Sequence, residues 1–535
     1  MNITRIGLLF GTALLAAACE GDNGPAGPEG PAGPPGGLDP NLSATDKVIT
    51  AFGGRPVLAG LTSLGATITG DRAVLDEGYA PEDGATAASR FEATLQWDLT
   101  AGNLRLDYKR NVAFPFPGMY TYSELLRADG GWRIGVDNFF GAPGGPLSSE
   151  RWGSARRQQR LLHPELLVRD LASGKITGKD AGLGVIGGVP HHRLELADAV
   201  SPLTLWVEVG TGRLTKISTV ENEHLRADVP VEAFFSDWKA LTGGVWVPQR
   251  AALTVDGEVV HEELRTTITA NPAIPATAFA VPGGATPSLV AAEVARGERT
   301  HQFHEMFSAI GIPLDGGQTT VAPTQLRPGV WHLAGGTHNS LVVEQAAGVV
   351  VVEAPLYAKR SEALLAWIGT QFPGKPVTHV IATHFHGDHS AGLRTFVAAG
   401  ATVVAGEAAL GLYRRVFAAR RTIEPDKQAT TPRQATLRAV KPGQVETLAG
   451  NGEDRVVQIY TVDTTHAADM VVAVVDGVLF VSDIYSPGIP ANPAALRELR
   501  QAITDHDTIA VETIAGGHGG TSTLQELDDL INPPS

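Results

Sequence analysis

The feature that most constrains this chain is a run of four metal-ligand side chains within six positions, His384-Phe385-His386-Gly387-Asp388-His389, set directly after the apolar stretch Val380-Ile381-Ala382-Thr383. The apolar stretch reads as a buried strand, and a helical pattern follows over 393–399. His384 and His386 stand two apart, so at a strand end both imidazoles can point the same way, while Asp388 and His389 fall in the turn beyond. Imidazole and carboxylate clustered in apolar surroundings lose solvation unless something binds them. The chain has one cysteine, Cys19. Thiolate-rich zinc sites and intramolecular disulfides are therefore excluded, and any metal rests on His and carboxylate.

Three later positions complete a set. His466 lies in Asp463-Thr464-Thr465-His466-Ala467-Ala468-Asp469, Asp483 ends the apolar run Val478-Leu479-Phe480-Val481-Ser482, and His518 sits in Gly516-Gly517-His518-Gly519-Gly520. This order resembles that of the metallo-beta-lactamase-fold hydrolases over about residues 318–535, although the family's usual Gly-His-Thr-x-Gly context is altered around His466. The resemblance implies an αββα sandwich with His384, His386 and His466 at one metal. It implies Asp388, His389 and His518 at the other, with Asp483 between them. Two zinc ions suit such donors, and iron or manganese also fit. Two adjacent dications lower the pKa of a bridging water far enough to leave hydroxide at neutral pH, which is hydrolytic chemistry. Asp388 then orients the hydroxide and passes a proton to the leaving group. His338, in Gly335-Gly336-Thr337-His338, is a candidate substrate contact or else a turn residue.

With 535 residues the chain has room for more than one domain, and it is expected to be an α+β multidomain protein. Residues 1–18 carry Arg5 and an apolar run too short to span a bilayer, the pattern of a signal peptide. The run ends Leu14-Leu15-Ala16-Ala17-Ala18-Cys19, which resembles the lipobox of bacterial lipoproteins with Cys19 as the lipidated residue. The alanines also satisfy an ordinary secretory cleavage site. A Gly/Pro-rich, collagen-like tract over 19–45 reads as an extended tether. Residues 46–282 alternate apolar and polar positions between turns, as at 91–99, 104–108, 203–209 and 245–253. Hairpins are expected at Thr211-Gly212 and Asp256-Gly257, giving an antiparallel, β-rich N-terminal domain built as a meander. Phe235-Ser236-Asp237-Trp238, Gly244-Val245-Trp246-Val247-Pro248 and Asn271-Pro272 give it a resemblance to the half-barrel of periplasmic lipoprotein-carrier proteins. That would imply an apolar face for an acyl chain, whereas the plain reading is a sheet whose aromatics pack a core. His191 and His192 are neighbours on a strand and face opposite sides. Residues 283–317 form a linker with a helical pattern in which His301 and His304 share a face.

The net charge of −15 disfavours a nucleic-acid partner. Residues 484–495 hold no lysine to grip a beta-lactam carboxylate. The expected function is an exported, lipid-anchored dinuclear metal hydrolase acting on an ester, lactone or amide bond of a small molecule. The expected location is the cell envelope, at the periplasmic face or cell surface, or secreted and soluble if Cys19 is not modified. Two other readings stay open: a metallo-beta-lactamase acting on beta-lactams, and a lipid- or ligand-binding lipoprotein with a vestigial hydrolase domain.

Overall fold

The computed structural model describes residues 38–114, 116–137, 144–197, 202–284, 289–300, 319–449, 454–490 and 492–533. The signal segment, Cys19 and the Gly/Pro tract up to residue 37 lie outside the described residues, as do His301 and His304. Among the described residues no helix is long and apolar enough to cross a membrane.

The N-terminal half is an antiparallel sheet of thirteen strands, formed from two meanders, the first running in chain order from the centre to one edge and the second from the other edge back to the centre. At that centre Ser63–Val74 pairs with Glu258–Ala270, in the register Leu64↔Ala270 through Arg72↔His261. Period-two alternation sets the buried face: Phe91, Ala93, Leu95 and Trp97 of Thr86–Asp98 point inward together. Both expected hairpins are present. At the second of them Asp256 and Gly257 both take positive φ, 52° and 88°, as a tight two-residue turn between right-twisted strands requires.

The apolar face of this sheet is covered by the chain's own helices, in line with the plain reading of a sheet that packs a core rather than with the face open to an acyl chain that the half-barrel resemblance implied. Between the meanders, Ser149–Leu162 and Pro164–Ser173 lay Leu161, Leu162, Leu167, Val168 and Leu171 against Leu95, Leu106, Leu205 and Ile217 in one core. The first helix is capped by Ser148, whose hydroxyl accepts from the Arg151 amide, and the second has Pro164 in its first turn. The arginines of the first helix are buried in pairs: Arg151 meets Glu124 and Asp137, and Arg157 meets Glu221.

The C-terminal half has four layers. A seven-stranded sheet begins antiparallel with Ala322–Arg327, Val330–Gly335, His338–Glu344 and Val349–Val352, and continues parallel through Val377–Ala382, Thr402–Gly406 and Leu437–Val440. Parallel neighbours need crossovers. Helices Ala358–Gln371, Leu393–Ala399 and Leu410–Ala418 supply them and pack on its outer face. A six-stranded sheet carries Val457–Thr461, Val471–Val475, Val478–Val481 and Thr513–Gly516, covered by Pro493–Asp505 and Leu524–Ile531. Between the sheets Leu341, Val343, Val350, Val352, Ile381 and Val404 meet Ile459, Val471, Ala473, Val475, Val478 and Phe480. Strands closed on both faces read as continuous valine rather than as alternation, and Val349–Val352 and Val471–Val475 are buried throughout.

Thus the protein is a multidomain α+β chain with an antiparallel N-terminal β domain and a C-terminal αββα sandwich. Phe480 lies fully buried between the two sheets. Phe480→Ala is expected to destabilise the C-terminal sandwich by about 3–5 kcal/mol, measured by urea unfolding. An unchanged midpoint would mean that the layers do not close around this ring.

Candidate metal centre

The strand Val377–Ala382 ends on Thr383, and the chain then delivers His384 and His386 with ring centroids 4.4 Å apart. His386 caps a single helical turn, Gly387–Ser390, whose Ser390 hydroxyl donates back to the carbonyls of Phe385 and His386. That turn carries Asp388 and His389 to the other side of the strand end. At Gly387 the turn comes so close to the N-terminal domain that a Cβ there would sit 2.5 Å from Nε2 of His224.

Two clusters form at one edge of the sandwich. His384, His386, His466 and Asp483 make the first, and His338, Asp388, His389 and His518 the second; within each, the donor atoms lie within 4.8 Å of one another. In the first, Nε2 of His466 is 3.3 Å from Nε2 of His384 and 3.3 Å from Oδ2 of Asp483. In the second, Oδ2 of Asp388 is 3.2 Å from Nε2 of His338 and 3.6 Å from Nε2 of His389. Asp483 joins them, since its Oδ1 lies 3.0 Å from Nε2 of His389 and 3.1 Å from Nε2 of His518. All seven residues expected as ligands are therefore brought together, in the grouping that the family resemblance implies. These clusters could coordinate one or two metal ions.

The outward nitrogens decide which ring atoms face the centre. Nδ1 of His518 lies 2.6 Å from the Thr337 carbonyl, Nδ1 of His389 lies 3.1 Å from Oε1 of Glu353, and Nε2 of His386 lies 2.8 Å from the Gly78 carbonyl. Each of these partners is an acceptor, so the outward nitrogen donates and the inward one keeps its lone pair. Nδ1 of His386 and Oδ1 of Asp388 are buried without a hydrogen-bond partner, as atoms that await a cation would be. The donor set and its orphaned atoms therefore fit a pair of transition-metal ions.

Electrostatics point the same way. Burial and the neighbouring imidazoles hold His384 well below the usual histidine range and lower His386 and His338 to about 4. Burial works against the charge on Asp388 and Asp483, yet the surrounding imidazoles outweigh it and keep both carboxyls well below their ordinary range. Burial also disfavours charge on His389 and His518, but Asp483, helped by Asp388, raises both. The carboxylates and imidazoles of the centre are thus strongly coupled, as donors gathered around a cation are.

His338, read as a candidate substrate contact or a turn residue, opens the strand His338–Glu344 beside the second cluster. It is fully buried, its ring stands 4.2 Å from that of His518, and it holds Asp388. Sequence reasoning also passed over Glu353. It closes the Val349–Val352 strand at φ 67°, is fully buried, and accepts from Thr383 Oγ1 at 2.8 Å while facing His389. A charged residue ending an unbroken valine run was the available signal. A strained non-glycine conformation beside a ligand-type histidine marks a positioning role. Side-chain exposure is 25%, 20% and 21% at His466, Asp483 and His518 but at most 8% at His384, His386, Asp388 and His389, so the centre opens on the first three.

Replacing Glu353 by Gln is expected to weaken metal retention about 10–100-fold, read by chelator competition on the purified protein. Unchanged retention would show that His389 needs no carboxylate behind it.

Residues 333–518 match the family model described as the metallo-beta-lactamase superfamily. Among solved structures, a metallo-beta-lactamase from Pontibacter korlensis is 20% identical over 40% of this chain and 97% of its own, with a TM-score of 0.30. The DIM-1 metallo-beta-lactamase is 17% identical over 40% of this chain and 95% of its own, TM-score 0.31. A flavo di-iron protein variant from Thermotoga maritima is 15% identical over 39% of this chain and 60% of its own, TM-score 0.30. No curated protein matches. The C-terminal domain of this chain has the αββα fold of the metallo-beta-lactamase superfamily.

Proposed function

We propose that the protein is a dinuclear metal hydrolase that cleaves an ester, lactone or amide bond in a small molecule. The observation that carries this reading is the Asp483 carboxylate, one oxygen toward His384 and His466 and the other toward His389 and His518. His384, His386 and His466 would hold one ion and Asp388, His389 and His518 the other, with zinc the first choice and iron or manganese compatible. Bound there, a pair of dications would supply an acidified water and polarisation of the scissile carbonyl.

The chain's own residues supply the rest. Oδ2 of Asp388 is fixed by Nε2 of His338, while its Oδ1 is buried and free of partners. A carboxylate oriented in this way can take a proton from the attacking water and return it to the leaving oxygen or nitrogen. The substrate enters on the exposed side, past His466, Asp483 and His518.

Asp388→Asn should lower kcat about 10²–10⁴-fold while most of the metal is retained. Metal analysis and turnover on chromogenic ester, lactone and cephalosporin substrates measure both. Full activity of the variant would remove Asp388 from proton transfer. A metal-loaded wild-type protein that turns over none of the panel but carries a bound acyl ligand would favour the binding-protein reading.

We propose further that the chain is exported and lipid-anchored at Cys19, because its single cysteine directly follows the apolar run and small-residue triplet of the leader. Intact-mass analysis of the mature protein should find a lipid-modified N-terminus at Cys19. A soluble Cys19→Ala product would agree with this, and an unmodified wild-type cysteine would defeat it.

A further inference from the structure

One carboxylate reaches the metal centre from outside the C-terminal sandwich. The loop joining Ser63–Val74 to Thr86–Asp98 in the N-terminal sheet crosses to the first cluster and is tied to it by three hydrogen bonds. The Gly387 amide donates to the Asp76 carbonyl at 3.3 Å, the Ala468 amide to the Tyr79 carbonyl at 2.7 Å, and Nε2 of His386 to the Gly78 carbonyl at 2.8 Å. These partners belong to the two stretches that bear His386 and His466, so the loop lies between them.

The loop is also braced from behind. Asp76, at φ 55°, is gripped by the Arg226 guanidinium through contacts of 2.8–3.2 Å, and Arg226 also reaches Asp256. Asp83 Oδ2 accepts from the Ala80 amide at 2.8 Å, which folds the loop's far side back on itself. Glu77 is therefore placed by covalent and hydrogen-bonded neighbours on both sides. It is 7% exposed, its Oε2 lies 3.5 Å from the inward Nδ1 of His386, and its Oε1 is buried with no hydrogen-bond partner. A buried carboxylate oxygen without a donor is costly. The donor atom it faces belongs to the first cluster, whose own carboxylate is Asp483. A cation held by the first cluster would satisfy the Glu77 and Asp483 carboxylates at once.

We propose that Glu77 is a ligand of the metal ion held by His384, His386 and His466, so that the first site is completed by the N-terminal domain. This rests on the reading of the clusters as a metal centre. It assigns the N-terminal domain a direct part in metal retention, because undocking its loop withdraws a donor together with the carbonyl that orients His386.

The test uses the full chain, stripped of metal and titrated with Co²⁺, with the visible absorption of the bound ion and chelator competition as readouts. Wild type is expected to take two ions. Glu77→Gln should lose at least about tenfold in affinity for one of them, with a changed absorption spectrum for that ion, and the exposed loop variant Glu82→Gln should match wild type. Because an unpaired buried carboxylate is removed, metal-free Glu77→Gln should melt no lower than metal-free wild type, while its Co²⁺-induced rise in Tm should be smaller. Glu77→Ala repeats the comparison should the glutamine variant fold poorly. Two ions bound to either variant with wild-type affinity and spectrum would overturn the proposal and leave the metal-centre reading intact, whereas a wild-type chain that takes up no Co²⁺ would overturn both.

Discussion

A half-buried carboxylate sandwiched between two groups of imidazoles is the interaction on which the rest of this structure turns. Asp483 sits at the end of a strand in the six-stranded sheet, while His384 and His389 flank the end of a strand in the seven-stranded one. Its oxygens approach nitrogens from both clusters within 3.0–3.8 Å. Charges so close together in a poorly solvated place interact strongly, and the arrangement is stable only if the signs balance. The αββα layering makes this possible: the apolar packing between the sheets fixes the two strand ends against each other, and the ligand-bearing turns inherit that rigidity.

Local chemistry made much of the C-terminal half legible in the sequence. The strand, turn and helix around 377–399 are contiguous, so the period of apolar residues and the spacing of His384, His386, Asp388 and His389 together define one unit. Valine runs identified strands buried on both faces. The convergence of His466, Asp483 and His518 on that unit was legible only through the family resemblance, because no spacing rule places residues from separate strand ends side by side.

Three features were hidden for physical reasons. The helix Ser149–Leu162 reads as a polar segment, rich in arginine and glutamine, yet it covers the apolar face of the N-terminal sheet because Arg151 and Arg157 are neutralised by Glu124, Asp137 and Glu221. Paired burial of charge leaves no hydrophobic period to detect. The pairing of Ser63–Val74 with Glu258–Ala270, which makes one sheet of two meanders, joins the ends of the domain and is equally invisible to local pattern. Glu77 belongs to the same class: a lone acidic residue in a loop acquires meaning only from what the distant half of the chain brings to it.

The seam between the halves explains how a loop of one domain can be positioned to within hydrogen-bonding distances in the other. Arg421 donates to the carbonyls of Glu223 and His224, the Thr422 amide and hydroxyl both reach Oδ2 of Asp228, and the Asp228 amide donates to the Arg420 carbonyl. Directional contacts of this kind add little net stability, since each replaces a bond to water. What they supply is geometry: a sliding apolar interface would tolerate an ångström of displacement, whereas these donors and acceptors lose their partners. The same N-terminal segment that forms this seam carries Arg226, which grips Asp76 beside Glu77. Orientation of the two halves and placement of the loop at the metal centre are therefore set by one connected set of hydrogen bonds, and a change that loosens the seam will be felt first at His386.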